Sequence, residues 1–198
     1  MIDIKIVAVR RNQTSKRIYE AADYDLRLPG GKVVTWSRIE GPDIVVVLAV
    51  DDDGNALMKR EWRLAQKKEV LELVSGRMEK GEKPLDCAAR ELKEEIGVEA
   101  KTLTSLGKIS LWNHSAVHAH LFLATGLKVG ANNPDTDEVI ELEKVPYIKA
   151  TKTAMKVGTN AQTLLALFLS QPHLAEKLPA GATKKVQARK QASKKKRG

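Results

Sequence analysis

The stretch from Gly76 to Val98 constrains the fold of this chain more than any other; it reads GRMEKGEKPLDCAARELKEEIGV. The pattern predicts a glycine-containing loop followed by a helix. Pro84 fits the first helical turn, where its missing N–H group costs nothing. Gly97 is a natural residue for the end of the helix, since glycine readily adopts the left-handed conformation found there. The stretch therefore predicts a loop and then a helix from about residue 84 to residue 96.

The predicted helix carries an apolar arc and an acidic arc. At about 100° per residue, one arc should face a core and contains Leu85, Ala88, Ala89, Leu92 and Ile96. Glu91, Glu94 and Glu95 share a different arc, because residues three and four positions apart lie on the same face. Arg90 can reach Glu94, but one arginine does not neutralise three carboxylates. Clustered carboxylate oxygens suit hard divalent cations such as Mg²⁺.

The same stretch resembles the Nudix box. Gly76 is followed after five residues by Glu82, and after seven more by Arg90-Glu91-Leu92; Glu94-Glu95 and Gly97-Val98 complete the pattern. Every defining position is matched. A solvated acidic helix is the alternative interpretation, but a run of charges alone needs neither the glycines nor the arginine.

The patterns outside the helix predict an α+β fold, in agreement with the α/β/α sandwich that the Nudix resemblance implies. Apolar runs predict strands at residues 2–9, 17–28, 33–36, 44–50, 56–62, 70–74, 118–124 and 139–145. We expect a strand, a turn and a second strand over 100–112, a loop over 126–134, and helices over 151–157 and 160–169.

The net charge of +9 is concentrated at the end of the chain. Residues 184–198 hold eight Lys and Arg and no acidic residue, which leaves 26 basic and 25 acidic residues elsewhere. We expect an N-terminal β region over 1–42, a hydrolase domain over 43–178 and a basic disordered tail over 179–198. Nucleic acid binding by this tail is an open alternative to a solvated extension.

The composition also bears on location. Cys87 is the only cysteine, so an intramolecular disulfide is excluded, and we interpret it as a small core residue. The longest apolar runs fall short of the roughly 20 residues of a membrane helix. A membrane partner is therefore not expected, and the N-terminus lacks the pattern of a secretory signal. These features favour a cytoplasmic protein.

A resemblance to the ADP-ribose pyrophosphatase branch of the Nudix family extends over roughly residues 17–170. The residues that carry it are 28–32, 52–63, 71–76, 137–138 and 160–167. That branch hydrolyses nucleoside diphosphate sugars. Its members exchange N-terminal strands between two subunits, so the resemblance implies a homodimer.

Two departures from the branch pattern concern the substrate. Glu61 stands where members usually have glutamine, and residues 111–116 replace a Ser-Pro-Gly stretch of the ADP-ribose-specific members. These departures suggest a broader specificity, which includes GDP-mannose.

The resemblance also assigns roles at the metal site. It implies Glu91 and Glu95 as primary metal ligands, with Glu94 assisting and the Ser75 carbonyl completing a site. Mg²⁺ is the expected cofactor, with Mn²⁺ as an alternative; the metal would neutralise the diphosphate and lower the pKa of a bound water. Arg90 would orient a glutamate, and Glu82 would support it.

An acidic loop after the box usually supplies the catalytic base in this branch. Asp135, Asp137 and Glu138 are the candidates, and Glu138 is favoured. An exposed acidic turn is the competing interpretation of this segment.

Candidate substrate-binding residues lie outside the box. Arg63 resembles the substrate-binding arginine of the branch. It is a candidate for a contact with the diphosphate, since a planar guanidinium suits phosphate oxygens. Tyr19, Trp36 and Trp112 are candidates for stacking on the base, and His114 for a contact in the altered loop. Structural roles are the alternatives for all of these side chains.

The leading hypothesis is a Mg²⁺-dependent hydrolase of nucleoside diphosphate sugars, which would convert ADP-ribose to AMP and ribose 5-phosphate. The alternative is a Nudix pyrophosphohydrolase acting on RNA or nucleoside triphosphates. A Nudix fold used only for binding is disfavoured, because Glu91, Glu94 and Glu95 are all present.

Overall fold

The computed structural model describes residues 3–11, 18–130 and 140–175; the predicted tail lies outside this part of the chain. Its strands and helices are, in chain order, β1 (Lys5–Arg11), β2 (Glu20–Arg27), β3 (Val33–Glu40), β4 (Ile44–Val50), β5 (Asn55–Arg63), β6 (Lys68–Glu72), β7 (Val74–Arg77), α1 (Pro84–Ile96), β8 (Val98–Ser110), β9 (His118–Val129), β10 (Ile140–Pro146), α2 (Tyr147–Val157), α3 (Ala161–Leu169) and α4 (Gln171–Leu174).

The first three strands form a sheet of their own, in the order β1-β2-β3. The predicted hairpin is confirmed: β2 and β3 are antiparallel, with Tyr24 opposite Trp36. Gly30 and Gly31 both have a φ of 88° in the connecting turn, a conformation that side chains other than glycine rarely adopt. Every residue of β1 is exposed, so this sheet has an uncovered apolar surface in the single chain.

The other seven strands form the central sheet. Its order is β10-β5-β4-β9-β8, with β6 beside β5 and β7 beside β4. Strand β4 reads IVVVLAV and is buried from its second residue onward. Such a continuous β-branched run is typical of a strand that is covered on both faces.

Helices cover both faces of the central sheet, which confirms the predicted α/β/α sandwich. On one face, α1 packs Ala88 and Leu92 against Val45, Val47 and Phe122. On the other face, α2 and α3 pack residues such as Ala150 and Leu167 against Leu48 and Leu121. Within residues 3–11, 18–130 and 140–175, no helix is long and apolar enough to cross a membrane.

Helix α1 has the predicted ends, but the predicted core arc is partly wrong. Pro84 lies in its first turn, and Gly97 ends it in the left-handed conformation, with φ 63° and ψ 32°. Leu85 is 49% exposed and Ala89 is also exposed. The buried side consists of Cys87, Ala88, Glu91, Leu92, Glu95 and Ile96. The helix is therefore rotated so that two carboxylates, rather than two apolar side chains, face the sheet.

The predicted turn within residues 100–112 is also wrong. Strand β8 runs without interruption from Val98 to Ser110, and a β-bulge lies between Ser105 and Gly107. The bulge absorbs an extra residue without ending the strand. Its partner β9 continues to Val129, so the loop predicted over 126–134 is wrong for residues 126–129.

Candidate active site

A cleft of about 690 Å³ lies where α1 meets β7, the loop after β7 and the end of β5. Its lining comes from five parts of the chain and consists of Ile18, Tyr19, Pro42, Ile44, Arg63, Ser75, Gly76, Arg77, Met78, Glu79, Arg90, Glu91, Glu94 and Glu95. The fold thus brings the acidic arc of α1 together with Arg63, which is 31 positions before Glu94 in the sequence.

Gly76 makes room for one of the box carboxylates. A Cβ atom at this position would lie 1.8 Å from Cδ of Glu91 and 1.9 and 2.2 Å from its two oxygens. No side chain larger than hydrogen fits there while Glu91 keeps its place. Glycine is therefore required at the first position of the box because of the space that Glu91 occupies, and not because of the backbone conformation, since the φ of Gly76 is not positive.

Arg90 forms hydrogen bonds with three carboxylates of the box. Its Nη1 donates to Glu91 at 2.7 Å and to Glu94 at 2.8 Å. Its Nε donates to Glu82 at 2.9 Å, and its Nη2 donates to the Arg77 carbonyl at 3.0 Å. The hydrogen bonds from Arg90 lower the pKa of Glu82 to about 2. One guanidinium thus ties the helix to both the strand and the loop that precede it.

Glu95 is held from two sides and is 7% exposed. One carboxylate oxygen accepts a hydrogen bond from the Lys59 ammonium, and the other accepts one from the Ser75 backbone N–H at 3.2 Å. Burial raises the pKa of Glu95 to about 7, although Lys59 acts in the opposite direction. Burial also raises the pKa of Glu91, against the opposing effect of Arg90. Both carboxylates are therefore buried at positions where a nearby cation is needed to stabilise the charged form.

Strand β5 supplies the neighbouring wall of charged side chains. Lys59 lies 3.2 Å from Glu61, and Nη1 of Arg63 lies 2.7 Å from the other oxygen of Glu61. Arg63 also donates to Glu72 of β6 through Nε and Nη2, at 3.0 and 2.7 Å.

The donors of this cleft fit a divalent cation. Six glutamates and three basic side chains are joined by ion pairs here, a formal excess of three negative charges. The lining includes the carboxylates of Glu91, Glu94 and Glu95 and the backbone of Ser75, whose oxygens are the donors that hard cations prefer. In the described ranges, no three His, Cys, Asp or Glu side chains already stand in a metal-binding arrangement, because Arg90 and Lys59 occupy several of the oxygens. The chemistry of the donors fits Mg²⁺ or Mn²⁺, and these oxygens would have to turn toward the ion.

The structure gathers most of the predicted site residues into the cleft. Those that line it are Tyr19, Arg63, Ser75, Arg90, Glu91, Glu94 and Glu95. Glu82 contributes through Arg90. Trp36 and His114 do not line the cleft of this chain. Asp135, Asp137 and Glu138 lie outside the described residues.

Tyr19 reaches the cleft because of a second glycine. A Cβ on Gly41 would lie 2.3 Å from the Tyr19 ring, so the ring packs directly on the backbone between the two sheets. Tyr19 is 39% exposed, which leaves part of the ring free to contact a ligand.

The altered loop at residues 111–117 packs against the N-terminal sheet. The Ile39 N–H donates to the His114 carbonyl at 2.8 Å, and the Ala116 N–H donates to the Ile39 carbonyl at 2.8 Å. The rings of Trp112 and His114 meet edge to face with centroids 5.4 Å apart. Trp112 is 59% exposed, so this aromatic pair borders open solvent in the single chain.

Two histidines that are close in sequence share one hydrogen-bonding partner. His118 and His120 both contact the Asp43 carboxylate, at 3.3 and 3.1 Å. Lys108 joins the same carboxylate at 3.1 Å.

Sequence reasoning missed Lys59 and Glu72 and gave Glu61 no role beyond its departure from glutamine. The available indication was alternation, since Lys59, Glu61 and Arg63 occupy every second position of a predicted strand and so share one face. Three charged side chains on the face that packs toward α1 predict a polar site at that end of the sheet.

The chain is similar to known proteins in sequence and in fold. A family model described as the NUDIX domain matches residues 41–167. An ADP-ribose pyrophosphatase of Bacillus subtilis (strain 168) is 37% identical over 134 residues, which are 65% of this chain and 71% of the relative. A methanol dehydrogenase activator of Bacillus methanolicus is 31% identical over 144 residues, 68% of this chain and 78% of the relative.

Similarity to a solved structure concerns the fold. A crystal structure of an ADP compounds hydrolase has a TM-score of 0.76 and 23% sequence identity, and the match covers 88% of this chain and 95% of that chain.

Proposed function

This chain belongs to the NUDIX family, and we propose that it hydrolyses the diphosphate bond of nucleoside diphosphate sugars such as ADP-ribose. The products from ADP-ribose would be AMP and ribose 5-phosphate. The observation that carries the proposal is the cleft in which three box glutamates and Arg63 line one volume. The 37% identity to an ADP-ribose pyrophosphatase supports the choice of substrate class.

The metal would be held by Glu91 and Glu95, with help from Glu94 and the Ser75 carbonyl. When bound, Mg²⁺ or Mn²⁺ would neutralise the charge of the diphosphate and lower the pKa of a water. The excess of three negative charges in this ion-paired set at and behind the cleft supports the assignment, because the substrate is itself an anion and would otherwise be repelled.

Arg90 and Arg63 have different tasks in this proposal. Arg90 is already shared among Glu82, Glu91, Glu94 and the Arg77 carbonyl, so it orients the carboxylates rather than the substrate. Arg63 makes three contacts, to Glu61 and Glu72, out of the five N–H groups of a guanidinium. The remaining N–H groups are available to bind a phosphate oxygen.

Glu138 would act as the base that takes a proton from the attacking water. Its support is the acidic segment Asp135-Thr136-Asp137-Glu138, which directly precedes strand β10 in the sequence. Strand β10 pairs with β5, the strand that carries Arg63. Ile140, the first residue of β10, is paired with Glu61, two positions from Arg63 on the strand that contributes to the cleft.

A homodimer is part of the proposal. All of β1 is exposed, including Ile6 at 62%, and Trp36 on β3 is 55% exposed. Monomeric proteins rarely leave a contiguous apolar surface of this kind uncovered. A second subunit on the N-terminal sheet would cover it and bring further side chains, with Trp36 and His114 as candidates, toward the substrate.

One assay tests the substrate class. ADP-ribose, GDP-mannose, other nucleoside diphosphate sugars, nucleoside triphosphates and capped RNA would be compared with Mg²⁺ and with Mn²⁺. We expect at least one nucleoside diphosphate sugar to be the best substrate, with GDP-mannose as a test of broad specificity. Turnover of triphosphates or RNA far above every sugar nucleotide would refute the proposal.

An RNA pyrophosphohydrolase is the second candidate, and the eight basic residues of 184–198 are the observation that favours it. Deleting these residues should then weaken hydrolysis of RNA, because phosphate contacts are lost, and leave hydrolysis of free nucleotides unchanged. Equal activity on RNA with and without this segment would count against that function.

A further inference from the structure

A continuous line of ion pairs connects the metal-site glutamate of α1 to the candidate substrate-binding arginine. It consists of Glu72, Arg63, Glu61, Lys59 and Glu95, in which negative and positive groups alternate. The three β5 members occupy alternate positions, so they lie on the same face of the strand. Glu72 stands opposite Lys59 on the neighbouring strand β6.

Lys59 is the deepest member of this line. Its side chain is 2% exposed, and those of Glu95 and Glu61 are 5% and 13% exposed. A lysine is almost never buried to this degree unless it is paired. The Lys59 ammonium satisfies this condition with Glu95 on one side and Glu61 on the other.

The contact with Lys59 fixes one of the two oxygens of Glu95, and the Ser75 N–H fixes the other. With both oxygens tied, the carboxylate has one orientation, and each oxygen keeps a further lone pair for another partner. Without the ammonium, only the backbone contact at 3.2 Å would hold it. Glu61 in turn keeps Lys59 in place, and Arg63 keeps Glu61 in place.

We propose that Lys59 is a positioning residue that orients Glu95 for a divalent cation, and that Glu61 holds Lys59 in that role. The inference rests on the proposed function, because it takes Glu95 to be a metal ligand. Lys59 itself does not line the cleft. It acts through the carboxylate, in the way that groups behind a metal ligand set its orientation and affinity.

The test measures the binding of Mn²⁺ to the full-length protein without substrate. Electron paramagnetic resonance gives the concentration of the unbound ion. Lys59→Met replaces the ammonium with an apolar group of similar length. We expect its Mn²⁺ dissociation constant to rise by about 10-fold or more, the range seen when such supporting contacts are lost. Arg60→Met is the matched control, since Arg60 is the next residue of β5 and forms its own ion pair with Glu143 at 2.5 Å. Its Mn²⁺ affinity should match that of the wild type.

A second variant covers the case in which Lys59→Met does not fold. Lys59→Met combined with Glu61→Gln removes both charges, so no carboxylate at position 61 is left unpaired in the interior. Glu95 is then the one carboxylate that has lost the ammonium, so this double variant should melt at a higher temperature than Lys59→Met and still bind Mn²⁺ more weakly than the wild type. Wild-type Mn²⁺ affinity in a folded Lys59 variant would overturn the inference and leave the proposed hydrolase intact. Weakened Mn²⁺ binding in a protein that cleaves no nucleoside diphosphate sugar would support the inference and refute the proposed substrate.

Discussion

Replacing Gly76 with alanine should inactivate the cleft and leave the fold intact. The new Cβ would lie 1.8 Å from Cδ of Glu91, whereas ordinary contacts begin at 3.4 Å. Moving from 1.8 to 3.4 Å displaces the carboxylate by about 1.6 Å. Glu91 would then lose its place beside Arg90, to which it is bonded at 2.7 Å.

The expected magnitude follows from this displacement. A misplacement of about 1 Å in a reacting arrangement costs on the order of 100-fold in rate. We therefore expect kcat for the best sugar nucleotide to fall by about 100-fold or more, and Mn²⁺ binding to weaken. Stability should change little, because the φ of Gly76 is not positive and the lower entropy of the unfolded chain, a stabilising effect of about 0.4–1 kcal/mol, offsets part of the cost of moving Glu91 away from Arg90.

Steady-state kinetics, Mn²⁺ titration and urea unfolding of the same preparation would separate these effects. Gly130→Ala is the matched control, because its Cβ would meet only the Gly97 carbonyl at an ordinary 3.6 Å and its φ is not positive. The control should keep wild-type kcat. Wild-type kcat and Mn²⁺ affinity in Gly76→Ala would refute the reasoning, since they would show that the position of Glu91 is unimportant.

Three further predictions concern other parts of the chain. Hydrogen bonds from Tyr24 and two arginines lower the pKa of Glu40 from 4.5 to about 2. Its contribution to the free energy of unfolding is therefore present above about pH 4.5 and lost as the pH falls toward 2. The difference in free energy of unfolding between the wild type and Glu40→Gln, measured in urea, should therefore shrink across that range. Asn160→Ala should lower the free energy of unfolding by about 1 kcal/mol, because the Asn160 side chain caps α3 by accepting a hydrogen bond from the Thr163 N–H at 2.8 Å. Asn160→Ser should retain most of the stability, since serine is also a good capping residue. Glu138→Gln should lower kcat by about 100-fold or more with an unchanged melting temperature, and near-normal turnover would assign the base to another residue.

The parts of the fold that the sequence predicts well are those set by local interactions. Pro84 and Gly97 act within single turns, so both ends of α1 are readable from neighbouring residues. The hairpin at Gly30 and Gly31 is equally local, because its turn requires positive φ angles. The β-branched run of β4 likewise predicts a strand covered on both faces.

The predictions from sequence are wrong where residues far away in the chain determine which side chains are buried. The helical period places Leu85 and Ala89 on the apolar arc, but the sheet offers α1 a polar face, where Lys59 and Ser75 meet Glu95. Pairing buried carboxylates with these groups outweighs covering Leu85, which stays 49% exposed. No local pattern contains this information, since Lys59 and Glu95 are 36 positions apart.

The two halves of the candidate metal site therefore have different physical origins. Arg90, Glu82 and Glu94 lie within one loop and helix, so their contacts need only the box to fold. Glu95 is oriented by Lys59, which takes its place only when β5 has paired within the central sheet and α1 has packed on that sheet. Glu91 depends on both halves, since Arg90 binds it and the bare backbone at Gly76 of β7 admits it. A cation bound by Glu91 and Glu95 of α1 and by the Ser75 carbonyl of β7 would thus join helix and sheet. Because it would bind the folded state alone, its binding would also stabilise their packing.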